Sequence, residues 1–284
     1  MSDWTTIVSA GELAAVLGQP GLALVDCRHD LADPGAGEAA WRSGHLPRAG
    51  HAHLDRDLSD HRKPPSQGRH PLPDAADFNR TLARLGIRPG VQVVAYDAAD
   101  GSMAAARFWC LLRSMGHRRV AVLDGGVAAW RALGLPMDTT PPQTAPGHYD
   151  GSFDASHFAT AQDVEARLAE ASGWLLDARA PERFRGEVEP LDPVAGHIPG
   201  ALNRPLSANL QDGRMKSPAL LRSGFRTLIG DRAPADVVMS CGSGVTACHN
   251  LLAMAHAGLE GARLYGGSWS GWVSNPARPV ARGD

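Results

Sequence analysis

Cysteine is scarce in this chain of 284 residues: four are present, Cys27, Cys110, Cys241 and Cys248, with no Cys-x-x-Cys pair and no regular spacing. That scarcity excludes a disulfide framework and a zinc knuckle, and implies reduced thiols. Long apolar runs are missing too, and none approaches the ~20 residues that a membrane-spanning helix needs. The opening MSDWTTIVSA lacks the basic start and apolar core of a secretory signal, so the cytoplasm is the expected location. Neither charge is in excess: 28 basic residues face 30 acidic ones, for a net charge of −2, and no pull toward nucleic acid or membrane follows. With 43% hydrophobic and 20% charged residues, the chain reads as globular and long enough for one large domain or two of ordinary size.

Its main organisational feature is an internal repeat. LALVDCR at 22–28, SGHLPRA at 43–49, VQVVAYD at 91–97 and VLDGGVAAW at 122–130 recur in order as WLLDAR at 174–179, AGHIPGA at 195–201, DVVMSC at 236–241 and RLYGGSWSGW at 263–272. The landmark pairs are Asp26 with Asp177, His45 with His197, Asp97 with Cys241, and Gly126 with Gly267. Between the copies, residues 139–152 (TTPPQTAPGHYDGS) lack hydrophobic periodicity and read as an extended linker. The expected domains are therefore 1–138 and 153–284.

Short apolar runs predict buried strands at 22–25, 91–96, 120–123, 174–176, 237–240 and 262–265. Helical spacing predicts helices at 9–17, 74–85, 103–115, 126–133, 160–171, 218–228 and 245–257, with Gly116 and Gly258 as left-handed caps. Alternating strands and helices imply an α/β fold, a mostly parallel sheet flanked by helices and built twice. Ligands in such sheets sit beyond the carboxyl ends of the strands.

Cys241 stands at such an end, on a glycine loop between a predicted strand and helix. Packing as a small buried hydrophobe is one reading of it. The other is reactive: a loop closed as a cradle would turn the N–H groups of Gly242, Ser243, Gly244, Val245, Thr246 and Ala247 toward the sulfur, favouring a thiolate or an anion carried on it. A cysteine phosphatase needs Arg at the sixth residue after its Cys, and here that residue is Ala247. Cys27, Cys110 and Cys248 fall within apolar strand or helix patterns and read as core. His51, His53, His61 and His70 have no acidic or sulfur partner at ligand spacing, so they read as a solvated loop with no metal. Trp269 and Trp272 read as core or loop bracing, and His45 and His197 as structural.

The CGSGVTA loop, the two GH-[LI]-P turns, the DGG-x-x-AW and GGSWS-x-W signatures and the tandem arrangement together resemble two-domain rhodanese-type sulfurtransferases, over nearly the whole chain. The loop is similar to that of the 3-mercaptopyruvate sulfurtransferase branch, whereas thiosulfate-preferring members typically carry a basic loop. The resemblance implies two rhodanese-like domains: an inactive first one with Asp97 in place of the cysteine, and a catalytic second one. It implies that Cys241 takes a sulfane sulfur from 3-mercaptopyruvate as a persulfide, releases pyruvate and passes the sulfur to a thiol such as thioredoxin, or to cyanide, without a cofactor. Arg183 in PERFRGEVEPLDP matches the family's substrate-binding arginine, with Arg185 as its neighbour and a solvated surface arginine as the bland alternative. The branch often has a second Arg shortly afterwards; here Leu191 stands between Pro190 and Asp192. Ser243, His70 and Asp57 match a proton relay proposed in the family. Thiosulfate:cyanide sulfur transfer and a persulfide carrier without turnover are the competing functions. No nucleic-acid or membrane partner is expected, and a monomer is the default.

Overall fold

Five short parallel strands make the sheet of each half, in the same spatial order. In the computed structural model, which describes residues 3–143 and 145–284, the first sheet runs Ile7–Val8, Val120–Leu123, Gln92–Tyr96, Leu22–Asp26, Gly50–His51. The second runs Phe158–Ala159, Arg263–Tyr265, Val238–Ser240, Leu175–Asp177, Leu202–Asn203. Every pairing within these sheets is parallel. The central strands are mostly apolar because helices cover both faces, and Gln92–Tyr96 and Val120–Leu123 are wholly buried.

The predicted strands and helices are present with ends displaced by a residue or two, except for two helices that stop early. Ser9 caps Ala10–Ala14 and Thr160 caps Ala161–Glu165, each in a reciprocal box with the acid three residues on. Beyond both, the bonds tighten to i→i−3, as in Val16 N–H to Leu13 O and Arg167 N–H to Val164 O, and the helix does not continue. The edge strands of two residues and the helices Ala36–Ser43, Pro181–Phe184 and Ser268–Val273 had no counterpart in the sequence reading. Apart from Ala36–Ser43, they are too short to carry a period.

The chain divides into two compact units. One contains Met1–Asp60, Pro73–Asp154 and Asp212–Met215; the other contains His61–Leu72, Ala155–Gln211 and Lys216–Asp284. Residues 61–72, in the N-terminal half of the sequence, thus belong to the second unit. The stretch read as a linker has no helix or strand among its described residues, but it is tethered within the first unit: Gly147 N–H bonds to Ala83 O at 2.7 Å, and Asn79 holds Gly151 by two bonds. Thr144 lies outside the described residues.

A buried ion pair is built identically into both units. Arg28 grips Asp26 and reaches Gly44 O at 2.7 Å; Arg179 grips Asp177 and reaches Gly196 O at 2.7 Å. His45 and His197 brace the adjoining turns, with Nδ1 on Trp41 O and Phe184 O respectively. The repeat is therefore in the side-chain bonding as well as the order of elements.

Asp97 ends the strand Gln92–Tyr96 where Cys241 ends its equivalent. Its carboxylate accepts from Gly101 N–H at 2.9 Å and Met103 N–H at 3.2 Å, so the acid fills its own loop. Burial, helped by Asp100 and opposed by those N–H groups, raises this carboxyl to about 6. The folded chain holds that proton more tightly than the unfolded chain, so the contribution of Asp97 to stability is full below about pH 4 and is lost as pH rises through 6. The unfolding free energy of wild type minus that of Asp97→Asn is expected to fall by up to about 3 kcal/mol between pH 4 and pH 7. Urea titrations of both proteins would show it, and a pH-independent difference would contradict the assignment.

Candidate active site

The site is assembled on the carboxyl end of Val238–Ser240, in the second unit. Cys241 follows that strand directly, and the helix Ala247–His256 begins six residues later behind Thr246 as its N-cap. Cys241 is 1% exposed. Gly244 directs its N–H at the sulfur, 3.1 Å from N to Sγ. Gly244 has φ +76°, and a Cβ there would lie 2.4 Å from Gly266 O, so the turn that aims this N–H requires glycine. Val245 and Ala247 are buried as the helix starts, with Val245 O taking Cys248 N–H and Thr246 O taking His249 N–H. Cys27, Cys110 and Cys248 are buried too, and Cys248 Sγ turns away to Gly244 O at 3.3 Å.

The helix Ser268–Val273 closes the loop from the other side. Trp269 N–H bonds to Cys241 O and Ser270 N–H to Gly242 O, both at 2.9 Å. In the first unit Val127 N–H bonds to Asp97 O in the same way, so the structural register pairs Gly126 with Ser268. The sequence pairing of Gly126 with Gly267 was one residue out, because the run of glycines gave no anchor. Ser268 keeps a positive φ of +49°, as Gly126 does at +53°. Its hydroxyl accepts from Cys241 N–H at 3.0 Å, faces Tyr265 O at 2.9 Å and lies 3.9 Å from Cys241 Sγ. Trp269 and Trp272 are fully buried, as expected, and the Arg179 guanidinium lies 4.8 Å from the Trp269 ring centroid.

His70 Nδ1 is 2.8 Å from Ser243 Oγ, and both residues are buried. His70 reaches the loop because the backbone of Gly68 passes against Gly267: a Cβ at Gly68, with φ +90°, would stand 2.5 Å from Gly267 O. Arg69 N–H then bonds to Ser270 Oγ at 2.9 Å. Asp57 belongs to the first unit, where its carboxylate accepts from His53 N–H at 2.7 Å and pairs with Arg84 at 2.6 Å. The solvated-loop reading of the histidines is corrected. Of the four, His51, His53 and His70 are buried and His61 is exposed. His53 caps a helical turn by accepting Asp55 N–H at 3.1 Å, and its other nitrogen faces Pro34 O at 2.9 Å.

Arg183 and Arg185 separate clearly. Arg185 pairs at the surface with Glu187 at 2.7 Å. Arg183 is mostly buried, pairs with Glu189 at 2.6 Å and faces Gly242: a Cβ there would lie 3.5 Å from its Nη2. Glu189 also accepts from Arg179 and from the Leu191 and Asp192 N–H groups. Burial works to raise its carboxyl, but the bonds from Arg183 and those N–H groups hold it below the usual range. Arg69, Ser268, Glu189 and Asp192 were missed as site residues. Arg69 lay next to His70 and the others inside GGSWS or PERFRGEVEPLDP, without a signal of what each would meet.

A thiol at a strand end, an N–H aimed at it, a Ser–His couple beside it and a guanidinium over the next glycine define a covalent sulfur or acyl-transfer type of site. Comparison with known proteins narrows this. The model of the rhodanese-like domain matches residues 9–133 and again 160–275. The chain belongs to the rhodanese-like domain family, with two copies in tandem. It is 47% identical, over 98% of both chains, to a Pseudomonas aeruginosa protein named probable 3-mercaptopyruvate sulfurtransferase. It is 41% identical to a Mycobacterium tuberculosis protein named putative thiosulfate sulfurtransferase SseB, over 98% of this chain and 97% of that one. Among solved structures, SseA from Escherichia coli, titled as a 3-mercaptopyruvate sulfotransferase, matches with a TM-score of 0.78 and 30% identity, covering 94% of this chain and 99% of its own.

The Ser268 geometry yields a test. Ser268→Ala keeps the costly left-handed backbone and loses the hydroxyl, whereas Ser268→Gly loses the hydroxyl and relieves the backbone. The alanine variant is expected to be less stable than the glycine variant by about 1 kcal/mol in urea unfolding. Equal stabilities would show that the positive φ carries no strain.

Proposed function

We propose that the chain transfers sulfur from 3-mercaptopyruvate to a thiol or cyanide through a persulfide on Cys241. The observation that carries this reading is the cluster at the loop: Cys241 under the Gly244 N–H, with the Ser243–His70 couple one side chain away and Arg183 over Gly242. Arg183 holds the donor carboxylate. Cys241 thiolate attacks the donor sulfur, the carbon–sulfur bond breaks, and its electron pair leaves on carbon as the enolate of pyruvate. The proton that the donor sulfur carried moves to that carbon, with Ser243, polarised by His70, as the relay. Cys241 is left as a persulfide anion facing the Gly244 N–H. A thiol acceptor such as thioredoxin then takes the outer sulfur and restores the thiolate; cyanide would leave as thiocyanate.

Dividing the transfer into two displacements makes the Cys241 sulfur the nucleophile of the first, and the Gly244 N–H faces that sulfur. Asp57 accepts from His53 N–H and pairs with Arg84 within the first unit, and the relay we propose is built on Ser243 and His70. No helix among the described residues is long and apolar enough to cross a membrane. A free, unoxidised Cys241 needs a reducing compartment, and the cytoplasm is the one we assign.

Comparing kcat/KM for 3-mercaptopyruvate and thiosulfate tests the donor, and a clear preference for thiosulfate would replace our reading with thiosulfate sulfur transfer. Cys241→Ser is expected to abolish turnover with unchanged circular dichroism. Ser243→Ala and His70→Ala should each lower mercaptopyruvate turnover about 100-fold and thiosulfate turnover much less. Equal losses with both donors would exclude a donor-specific relay. Intact mass showing sulfur on Cys241 that no thiol removes would indicate a carrier.

A further inference from the structure

Two guanidinium groups, from distant parts of the sequence, face the one residue after Cys241. The Cβ that Gly242 lacks would stand 3.4 Å from Arg69 Nη2 and 3.5 Å from Arg183 Nη2. Both arginines are also tied to one carboxylate: Arg69 Nη1 lies 2.5 Å from Asp192 Oδ1, and Arg183 Nη2 lies 3.5 Å from Asp192 Oδ2. Asp192 is nearly inaccessible, with its side chain 4% exposed. The two cations are therefore already arranged around a carboxylate on one edge, while Nη2 of each borders the gap over Gly242.

Arg69 is placed by its backbone bond to Ser270, and its neighbour His70 by Ser243, so consecutive residues serve consecutive loop positions. A surface cavity of about 320 Å3, lined among others by Lys63, Gly68, Arg69, Leu191 and Asp192, opens Arg69 to solvent. Leu191, where a second arginine was looked for in the sequence, is half exposed and gives the site its N–H, bonded to Glu189, rather than a cation.

We infer that Arg69 is a specificity-determining residue, which with Arg183 clamps the carboxylate of a 2-oxo acid donor over Gly242. This rests on the sulfur-transfer reading above. A planar guanidinium can hold Asp192 through Nη1 and a donor oxygen through Nη2 at once, at a fixed spacing that the single nitrogen of a lysine cannot reproduce. Asp192 is then the fixed anion that orients Arg69, and the donor carboxylate is the second one.

The test uses the full chain with Arg69→Met and Arg69→Lys. Losing a charge-assisted bond to the donor should raise KM for 3-mercaptopyruvate about 10- to 100-fold in Arg69→Met, with a smaller fall in kcat. The inhibition constant of pyruvate should rise in parallel. Arg69→Lys should give a smaller rise in both. Persulfide formation on Cys241 from inorganic polysulfide, which has no carboxylate, should suffer much less, as read by intact mass. Equal losses with mercaptopyruvate and polysulfide would make Arg69 a merely structural residue and overturn the clamp. So would a KM within twofold of wild type in Arg69→Met or, should that variant not fold, in Arg69→Lys. A wild-type chain inert toward mercaptopyruvate but active on thiosulfate would instead overturn the functional reading, and the clamp with it.

Discussion

The buried pair of Asp177 and Arg179 is the contact from which the charged part of the site is built. Arg179 is 3% exposed, and a guanidinium so far from water is tolerated only when its donors are matched. Asp177 takes two of its edges, Gly196 O another, and Glu189 the last. Burial works against its charge, yet Asp177 and Glu189 hold it above its usual range. Glu189 passes the constraint to Arg183, and Asp192 joins Arg183 to Arg69. Cations and anions thus alternate from the sheet end to Gly242. Losing one buried partner in such a chain costs about 3–5 kcal/mol, because the remaining charge cannot return to water. That cost keeps the outer guanidinium groups in place before any substrate arrives.

The two units share a scaffold and differ at one strand end. Both have the parallel sheet, the buried Asp–Arg pair and the closing N–H to the carbonyl at the strand end. They diverge where the reacting sulfur would sit. In the first unit Asp97 accepts the loop N–H groups itself, and Gly126 brings no side chain, since a Cβ there would lie 2.5 Å from Asp97 O. In the second, a thiol accepts from Gly244, and a serine hydroxyl takes the place of glycine at the same strained backbone angle. Asp97 accepts from the fourth and sixth N–H groups after it, and Cys241 Sγ from the third. The first unit is a cradle already filled.

How far the sequence reveals this depends on the range of each interaction. Strand cores such as Val120–Leu123 were legible to the residue, because burial on both faces leaves an uninterrupted apolar run. The Cys241 loop was legible through its glycines and the repeat. Arg183 was set ahead of Arg185 by resemblance alone, since which of them faces Gly242 depends on a single turn of helix, Pro181–Phe184. Ser268 was hidden by a one-residue ambiguity among glycines. Arg69 was adjacent to a histidine already chosen, but nothing local told that residues 61–72 join the second unit. Short-range patterns show where a loop is; they do not show what crosses it.

That crossing depends on a contact with no side chain in it. Gly68 lies against the carbonyl of Gly267, and Gly271 against the backbone of Ser66 and Gly68, at distances that a Cβ on either would violate. The segment carrying Arg69 and His70 is therefore held by backbone contact to the helix that also closes the cysteine loop through Trp269 and Ser270. One short helix fixes the carbonyls of Cys241 and Gly242 on one edge and the Arg69 N–H on another. The path of the segment that carries Arg69 and His70 is thereby set by main-chain geometry, and the ion pairs with Asp192 and Glu189 then orient the guanidinium groups. A loop with no cation of its own can then handle an anionic donor, because its charges are delivered to it already positioned.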